Sequence, residues 1–374
     1  MIRLTLVRDN QLSPSSLLPP FAAGAIMAGM KPTLRHSLLT CLVLASAVCT
    51  APAAADEPER PQPLPGEIVK AWEKAGATVG WIGTNEYGGL EFRHATDGKT
   101  GDVPAFKFAK WTSDVVAKLP QPSRAFGLDV SLVEIDRDAD FDDTVLKELA
   151  GLKNLQSLNL AYTAVTDAGL SELAGLKNLQ SLCLSGKNLT DAHLKALAGL
   201  KSLRSLDLQV TDMTDVTGVG LRELAGLKNL QFLNLCDSHM SDAALKELTS
   251  LKSLRALDLS DTHVGDAGIK GIAGLKTLQS LDLGWTDATE AGLKELAGLT
   301  NLRTLSIAGP HVTDAVVGKL AQLNGLQSLN LIQSQVTDAG LKELARAGRL
   351  RSLDLYMTKV TDAGLKELAT MKSL

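Results

Sequence analysis

Leucines punctuate the chain with a fixed beat from residue 146 onward. The anchor positions are Leu146, Leu170, Leu194, Leu221, Leu245, Ile269, Leu293, Val317, Leu341 and Leu365. Every step is 24 residues except Leu194 to Leu221, which is 27 because of three extra residues near Val216–Gly218. A fixed period in the twenties marks a solenoid, whose units bury their apolar faces only by stacking on one another. Each unit carries an L-x-x-L-x-L block, from Leu155, Leu158 and Leu160 to Leu350, Leu353 and Leu355. The L-x-L part alternates with period two and predicts a short strand with one buried face. The segment after it has apolar residues at helical spacing, as in Leu170, Leu173 and Leu176. Each unit therefore reads as strand, turn, helix, turn.

The phrase VTDAGLKELA fills residues 336–345 and again 360–369. Thr and Asp ahead of an apolar helix are N-cap residue types, worth typically ~1 kcal/mol per cap. Asp also meets the positive end of the helix dipole. The Gly, as in Gly169 or Gly364, is expected to let the chain pack closely at the helix start. Lys366 and Glu367 flank the apolar Leu365 and Leu368 and read as a solvated face. A phrase repeated along the chain is building material, because an active site is one convergent place.

Nine consecutive L-x-x-L-x-L blocks with the T-D-x-G-L-x-x-L-A phrase resemble the leucine-rich repeat family over residues 141–374. The phrase is most similar to the cysteine-containing subclass found in ubiquitin-ligase adaptors and bacterial relatives. The resemblance implies an α/β fold: a right-handed solenoid (horseshoe) with a parallel concave sheet and convex helices. The chain departs from the subclass after the strand, where Asn or Cys is usual. That column is mostly hydroxyl: Thr163, Thr211, Ser238, Thr262, Thr286, Ser334 and Thr358, with Lys187 and Pro310 breaking it. No F-box-like segment is apparent.

The N-terminal part is organised differently. From Met30 the chain has the form of a secretory signal peptide (residues 30–55). Lys31, Arg35 and His36 precede an apolar stretch from Leu38 to Val48, and Ala53-Ala54-Ala55 supplies small residues for cleavage. An uncleaved anchor is the alternative. Residues 1–29 read as an extension ahead of the true start, and 56–66, rich in proline, as a linker. Residues 67–140 read as an α+β N-terminal cap, since a solenoid needs an atypical end unit. Expected there are a helix over 67–75, strands over 78–82, 90–93 and 105–108, a repeat-like helix over 112–119, and a degraded strand triplet at Val130, Val133 and Ile135. A separate module is the alternative. Cys183 and Cys236 fall two strands apart, on the order of 10 Å, so no bridge is expected between them. At the other end, the strand around Leu350–Leu355 is expected to be a sheet edge open to self-association.

With a net charge of −4 and no contiguous basic block, nucleic acid is not an expected partner. The central inward column reads Asn159, Cys183, Asp207, Asn234, Asp258, Asp282, Ser306, Asn330, Asp354, polar, small and mildly acidic. Aromatics make up only 4% of the chain, so Phe232, Trp285 and Tyr356 near the strands stand out as anchors. The binding candidates are accordingly Asp207, Phe232, Asn234, Asp258, Asp282, Trp285, Asn330, Asp354 and Tyr356. His239, His263 and His311 share one column with Asp287 and are weak metal candidates, because a straight ladder does not converge on an ion. No G-x-S-x-G, H-E-x-x-H, phosphate loop or CxxC is present. These features point to an exported, periplasmic or extracellular, non-catalytic protein without a cofactor and with no membrane span after signal cleavage. It would bind a protein or polymer partner through its concave face. The alternatives are a metal or enzymatic site in the cap or histidine column, and a self-associating structural solenoid.

Overall fold

The computed structural model describes residues 61–371 apart from 86–88, 95–97, 112–113, 132–142, 164, 187, 348 and 370. The expected leader (1–55), residues 56–60 of the linker, and Val133 and Ile135 lie outside these. The strands are β1 (Ala77–Thr84), β2 (Leu90–Arg93), β3 (Val103–Phe108), β4 (Phe126–Asp129), β5 (Leu155–Asn159), β6 (Ser181–Cys183), β7 (Asn188–Thr190), β8 (Ser205–Asp207), β9 (Asp212–Asp215), β10 (Phe232–Asn234), β11 (Ala256–Asp258), β12 (Ser280–Asp282), β13 (Thr304–Ser306), β14 (Ser328–Asn330) and β15 (Ser352–Asp354). Thirteen of them form one open sheet in the order β15-β14-β13-β12-β11-β10-β8-β6-β5-β4-β3-β1-β2, and β7 pairs with β9 beside it. From β3 to β15 the pairing is parallel, with helices between successive strands, as the periodicity predicts. The register places Leu158 beside Leu182, Leu182 beside Leu206, and so on to Leu353. The result is a continuous leucine core, as expected when each unit buries its apolar face by stacking on its neighbours.

The sheet does not break at the end of the repeats. β1 pairs antiparallel with β2 and β3, and β3 joins β4 in parallel. Helix α1 (Gly66–Lys74) brings the fully buried Trp72 onto this end of the core. Its ring stacks on Phe106 at 4.2 Å and meets Phe126 edge-on at 5.9 Å, while its Nε1–H donates to the Pro120 carbonyl at 2.9 Å. One expectation for this region is corrected. Among the described residues 114–119 the expected repeat-like helix is a single 3-10 turn, Val116–Lys118. Strand β4 ends just before Val130, which is buried beside it with Phe126 and Leu128, while Val133 and Ile135 of the expected triplet lie outside the described residues.

The T-D-x-G phrase has two roles, and one of them crosses between units. Thr is an N-cap: Thr217 accepts from Val219 N–H at 3.0 Å and Thr289 from Ala291 N–H at 3.3 Å. The Asp instead reaches forward. Asp266 accepts the Thr289 N–H and hydroxyl of the next unit, both at 2.7 Å, and the Gly292 N–H at 3.1 Å. Asp143, Asp191, Asp314 and Asp338 bind Thr166, Thr217, Thr337 and Thr361 in the same way. This is why the Gly is there. A Cβ on Gly169, Gly220, Gly268, Gly292, Gly340 or Gly364 would fall within 2.5 Å of the preceding unit's Asp carboxylate oxygen. Where that acid is absent or different, the glycine is too. Gly218 in the acid's place is followed by Ala244, and Glu290, one methylene longer, by Val316. Asp167 is followed by His193, whose ring instead bonds the Thr190 N–H of its own cap at 3.3 Å.

Candidate functional site

At the end of each repeat strand the chain turns sharply, and three positions build the turn. The first is the central inward column. Asp207 Oδ1 accepts the Gln209 N–H at 3.1 Å, Asn234 the Cys236 N–H at 2.9 Å, and Asp258 the Ser260 N–H at 2.9 Å. Asp282, Asn330 and Asp354 do the same with Gly284, Ile332 and Tyr356. These are Asx turns, in which a short side chain takes the place of a backbone acceptor. The hydroxyl column closes the turn. Thr163, Thr211, Ser238, Thr262, Thr286 and Thr358 each donate to the carbonyl three residues back.

Between them lies a position that the sequence does not reveal. Tyr162, Val210, Asp237, Asp261, Trp285, Gln333 and Met357 all have φ between 51° and 60°, and Gly186 and Gly309 stand at the same place in their units. A left-handed residue at the third position of a turn is ordinarily Gly or Asn. Left-handed backbone costs an L-residue roughly 1–2 kcal/mol. From Tyr162 to Gln333 the sheet enforces it, because each of those N–H groups donates to the next unit, as Val210 does to Cys236 at 2.9 Å and Trp285 to Ala308 at 3.0 Å. Tyr162, Val210 and Met357 are 49%, 43% and 60% exposed, three of the four exposed large apolar side chains among the described residues. The rim of the sheet is thus a row of strained positions carrying side chains that glycine would not offer.

The expected binding residues divide accordingly. Asp207, Asn234, Asp258, Asp282 and Asn330 are no more than 9% exposed, with an oxygen committed to the turn, so they offer little surface. Phe232, Trp285, Asp354 and Tyr356 are only half-buried and keep exposed surface. Crowding by strands ~4.8 Å apart buries small inward side chains that a lone strand would expose. At the N-terminal end the β1–β2 hairpin approaches β6 and covers more of this face. A Cβ on Gly89 would lie 3.1 Å from Asp207 Oδ2.

Burial sets the electrostatics of the column. It pushes the Asp207 carboxyl up to about 6, with the Gln209 N–H and Ser185 hydroxyl opposing the shift. Asp258 and Asp282, directly paired across β11 and β12, are also raised, by burial first; for Asp282 the neighbouring Asp258 charge adds to it. The thiols of Cys183 and Cys236 are free, buried and pushed up by that burial. On the rim, the His239 and His263 rings lie 5.5 Å apart, and His263 Nδ1 is 3.1 Å from Asp287 Oδ2. Among the described residues no group of three or more His, Cys, Asp or Glu side chains is placed to hold a metal ion.

Two family models match, and between them they cover most of the repeats: a leucine rich repeat over residues 153–213 and a leucine-rich repeat region over 219–374. No curated protein matches. Among solved structures, internalin C2 of Listeria monocytogenes is 27% identical, with 57% of this chain and 83% of that one covered and a TM-score of 0.41. The internalin inlF of the same organism is 19% identical, covering 71% and 88%, at 0.37. The TLR13–ssRNA13 complex is 22% identical at 0.48, and the match spans 66% of this chain but 38% of that one. The period, the parallel ladder of leucine strands and the two matching models place this chain in the leucine-rich repeat family.

Proposed function

We propose that the chain is an exported, non-catalytic recognition scaffold that binds a protein partner along the inner sheet and its left-handed rim. The observation that carries this reading is the rim itself. Gly186 and Gly309 occupy the turn position without strain, yet Tyr162, Val210, Trp285 and Met357 fill it elsewhere with large side chains. Backbone strain of this kind is held by surrounding structure and concentrates where side chains have work to do. Aromatic and methionine side chains are also those that anchor partners best. Phe232 and Tyr356 extend the row onto the sheet, and Asp237 and Asp261 set acidic groups between the anchors, favouring a partner with basic or neutral surface there. Export is supported by the signal-like residues 30–55. No helix among the described residues is long and apolar enough to cross a membrane.

The test uses glycine, because glycine suits the left-handed turn. The full chain and the triple variant Tyr162→Gly, Trp285→Gly, Met357→Gly are immobilised and exposed to envelope extract of the native host. A retained protein is then purified and its affinity for each measured by calorimetry. The expected result is a thermal midpoint in the variant at or above that of the parent, with affinity reduced at least tenfold. Equal affinity would remove the rim from the binding site.

A further inference from the structure

The opposite edge of the sheet, where each helix returns to the next strand, carries a segregated charge. The segments 150–156, 174–180, 198–204, 225–231, 249–255, 273–279 and 297–303 contain no Asp or Glu. Six of the seven supply an exposed lysine at the same place in the turn: Lys153, Lys177, Lys201, Lys228, Lys252 and Lys276. Arg204, Arg255 and Arg303, also exposed, stand three residues further on in alternate units. Nine positive and no negative charges therefore lie on one edge of a chain whose net charge is −4. The edge is held in register. The Asn178 side-chain amide donates to the Lys153 carbonyl at 2.9 Å, Ser253 to Lys228 at 2.6 Å, and Asn301 to Lys276 at 2.7 Å. At the strand spacing of ~4.8 Å the seven units make a row of roughly 30 Å.

The chemistry of the row selects among polyanions. None of the seven segments holds Phe, Tyr or Trp, so nucleic-acid bases find no ring to stack on. Their leucines are buried, so no apolar side chain is offered to a lipid bilayer. The position filled by arginine in alternate units is filled by a glutamine amide in the others: Gln180, Arg204, Gln231, Arg255, Gln279, Arg303. Cation and neutral hydrogen-bonding group thus alternate with a period of two units, ~10 Å. We infer that this edge is a docking ridge for an acidic polysaccharide in which charged and neutral sugars alternate, the lysine row adding attraction that does not depend on phase. This surface is distinct from the rim, so either can fail without the other.

The experiment measures binding of the full chain at ~0.15 M ionic strength to hyaluronan, a uronic acid alternating with a neutral amino sugar. Dextran, a single-stranded oligonucleotide and anionic phospholipid vesicles are run beside it. The edge variant is Arg204→Gln, Arg255→Gln, Arg303→Gln. The control, Lys195→Gln, Lys246→Gln, Lys270→Gln, removes the same charge from exposed helix positions. Expected are binding to hyaluronan and not dextran, weakened at least tenfold in the edge variant and less than twofold in the control. Equal losses in both variants would reduce the effect to net charge and overturn the proposal. So would tighter binding of the oligonucleotide or the vesicles, or no binding to hyaluronan.

Discussion

Replacing Gly340 by Ala tests the staple between units most directly. A Cβ there would lie 2.5 Å from Asp314 Oδ1 and 3.0 Å from Val336 Cγ1. The carboxylate has to leave, and with it go the Thr337 N–H bond at 2.8 Å and the Thr337 hydroxyl bond at 2.6 Å. Overpacking of this kind costs ~1–3 kcal/mol, and partly exposed hydrogen bonds about 1 kcal/mol each. Against this, alanine returns ~1 kcal/mol of helix propensity. Gly340→Ala is therefore expected to destabilise by about 2–3 kcal/mol, and Asp314→Ala by about 2. In the double variant the clash with the carboxylate is gone, and the introduced methyl keeps its propensity gain. The double variant should be no less stable than Asp314→Ala alone, which gives a coupling energy of about 2–3 kcal/mol. Gly318→Ala is the control, since a Cβ there meets only Glu343 Cγ at 3.8 Å, and it should be neutral or stabilising. Urea midpoints of the parent and variants at fixed slope supply the cycle. Additive single effects, with coupling below ~0.5 kcal/mol, would refute the account of why glycine occupies this place.

Three further outcomes follow from the same geometry. Val210 is β-branched and left-handed, so Val210→Gly should raise the thermal midpoint, with a gain of roughly 0.5–1 kcal/mol after the entropy cost of glycine; a lowered midpoint would show that its packing outweighs the strain. The native Asp207 carboxyl holds its proton from the ordinary 3.8 up to about 6, so stability falls as pH rises through that window. Asp207→Asn, whose amide oxygen can accept the same bond as Asn234 and Asn330, should stabilise the neutral protein by up to about 3 kcal/mol and flatten that part of the profile. Asp266 behaves oppositely: the Thr289 hydroxyl, with backbone N–H groups, holds its carboxyl low, so its contribution is present above 3.8 and lost as pH falls through the lower folded value. Denaturation profiles should therefore peak near the ordinary carboxyl value, about pH 4, and a monotonic profile would contradict both assignments. Finally, Cys183 and Cys236 should resist alkylation until the repeats unfold, as mass spectrometry can follow.

The repeat architecture is legible because leucine marks each strand and helix at invariant spacing, and the family resemblance adds the parallel sheet. Strand parity puts Asn159, Asp207 and Asp258 on the face opposite the core leucines. Their burial escapes it, since that depends on how closely neighbouring strands approach, which one unit alone does not state. The left-handed rim is hidden because only Gly186 and Gly309 carry the residue type that signals it. The forward reach of the aspartates is hidden differently: Asp and Thr are good caps within one helix, so the local reading suffices and goes no further. A signal does exist in the correlated exceptions, where Gly218 precedes Ala244 and Glu290 precedes Val316. The basic edge is missed because its charges are single in sequence and become a row only when the units stack.

The forward staple also gives the chain a grammar. Each unit offers one half of a lock to the unit behind it and the other half to the unit ahead. Aspartate and glycine, or their joint absence, agree across every seam from Asp191 to Gly364, and the Asp167 seam departs because His193 there caps its own helix instead. Tandem copying of the unit that holds both Asp266 and Gly268 would lengthen the protein with a seam type it already has. Placing the unit that holds Val316 behind an Asp-bearing one would instead drive a branched side chain into a carboxylate. Growth of such a chain by duplication is thus constrained in word order, with a mismatched seam requiring a substitute such as the His193 cap behind Asp167.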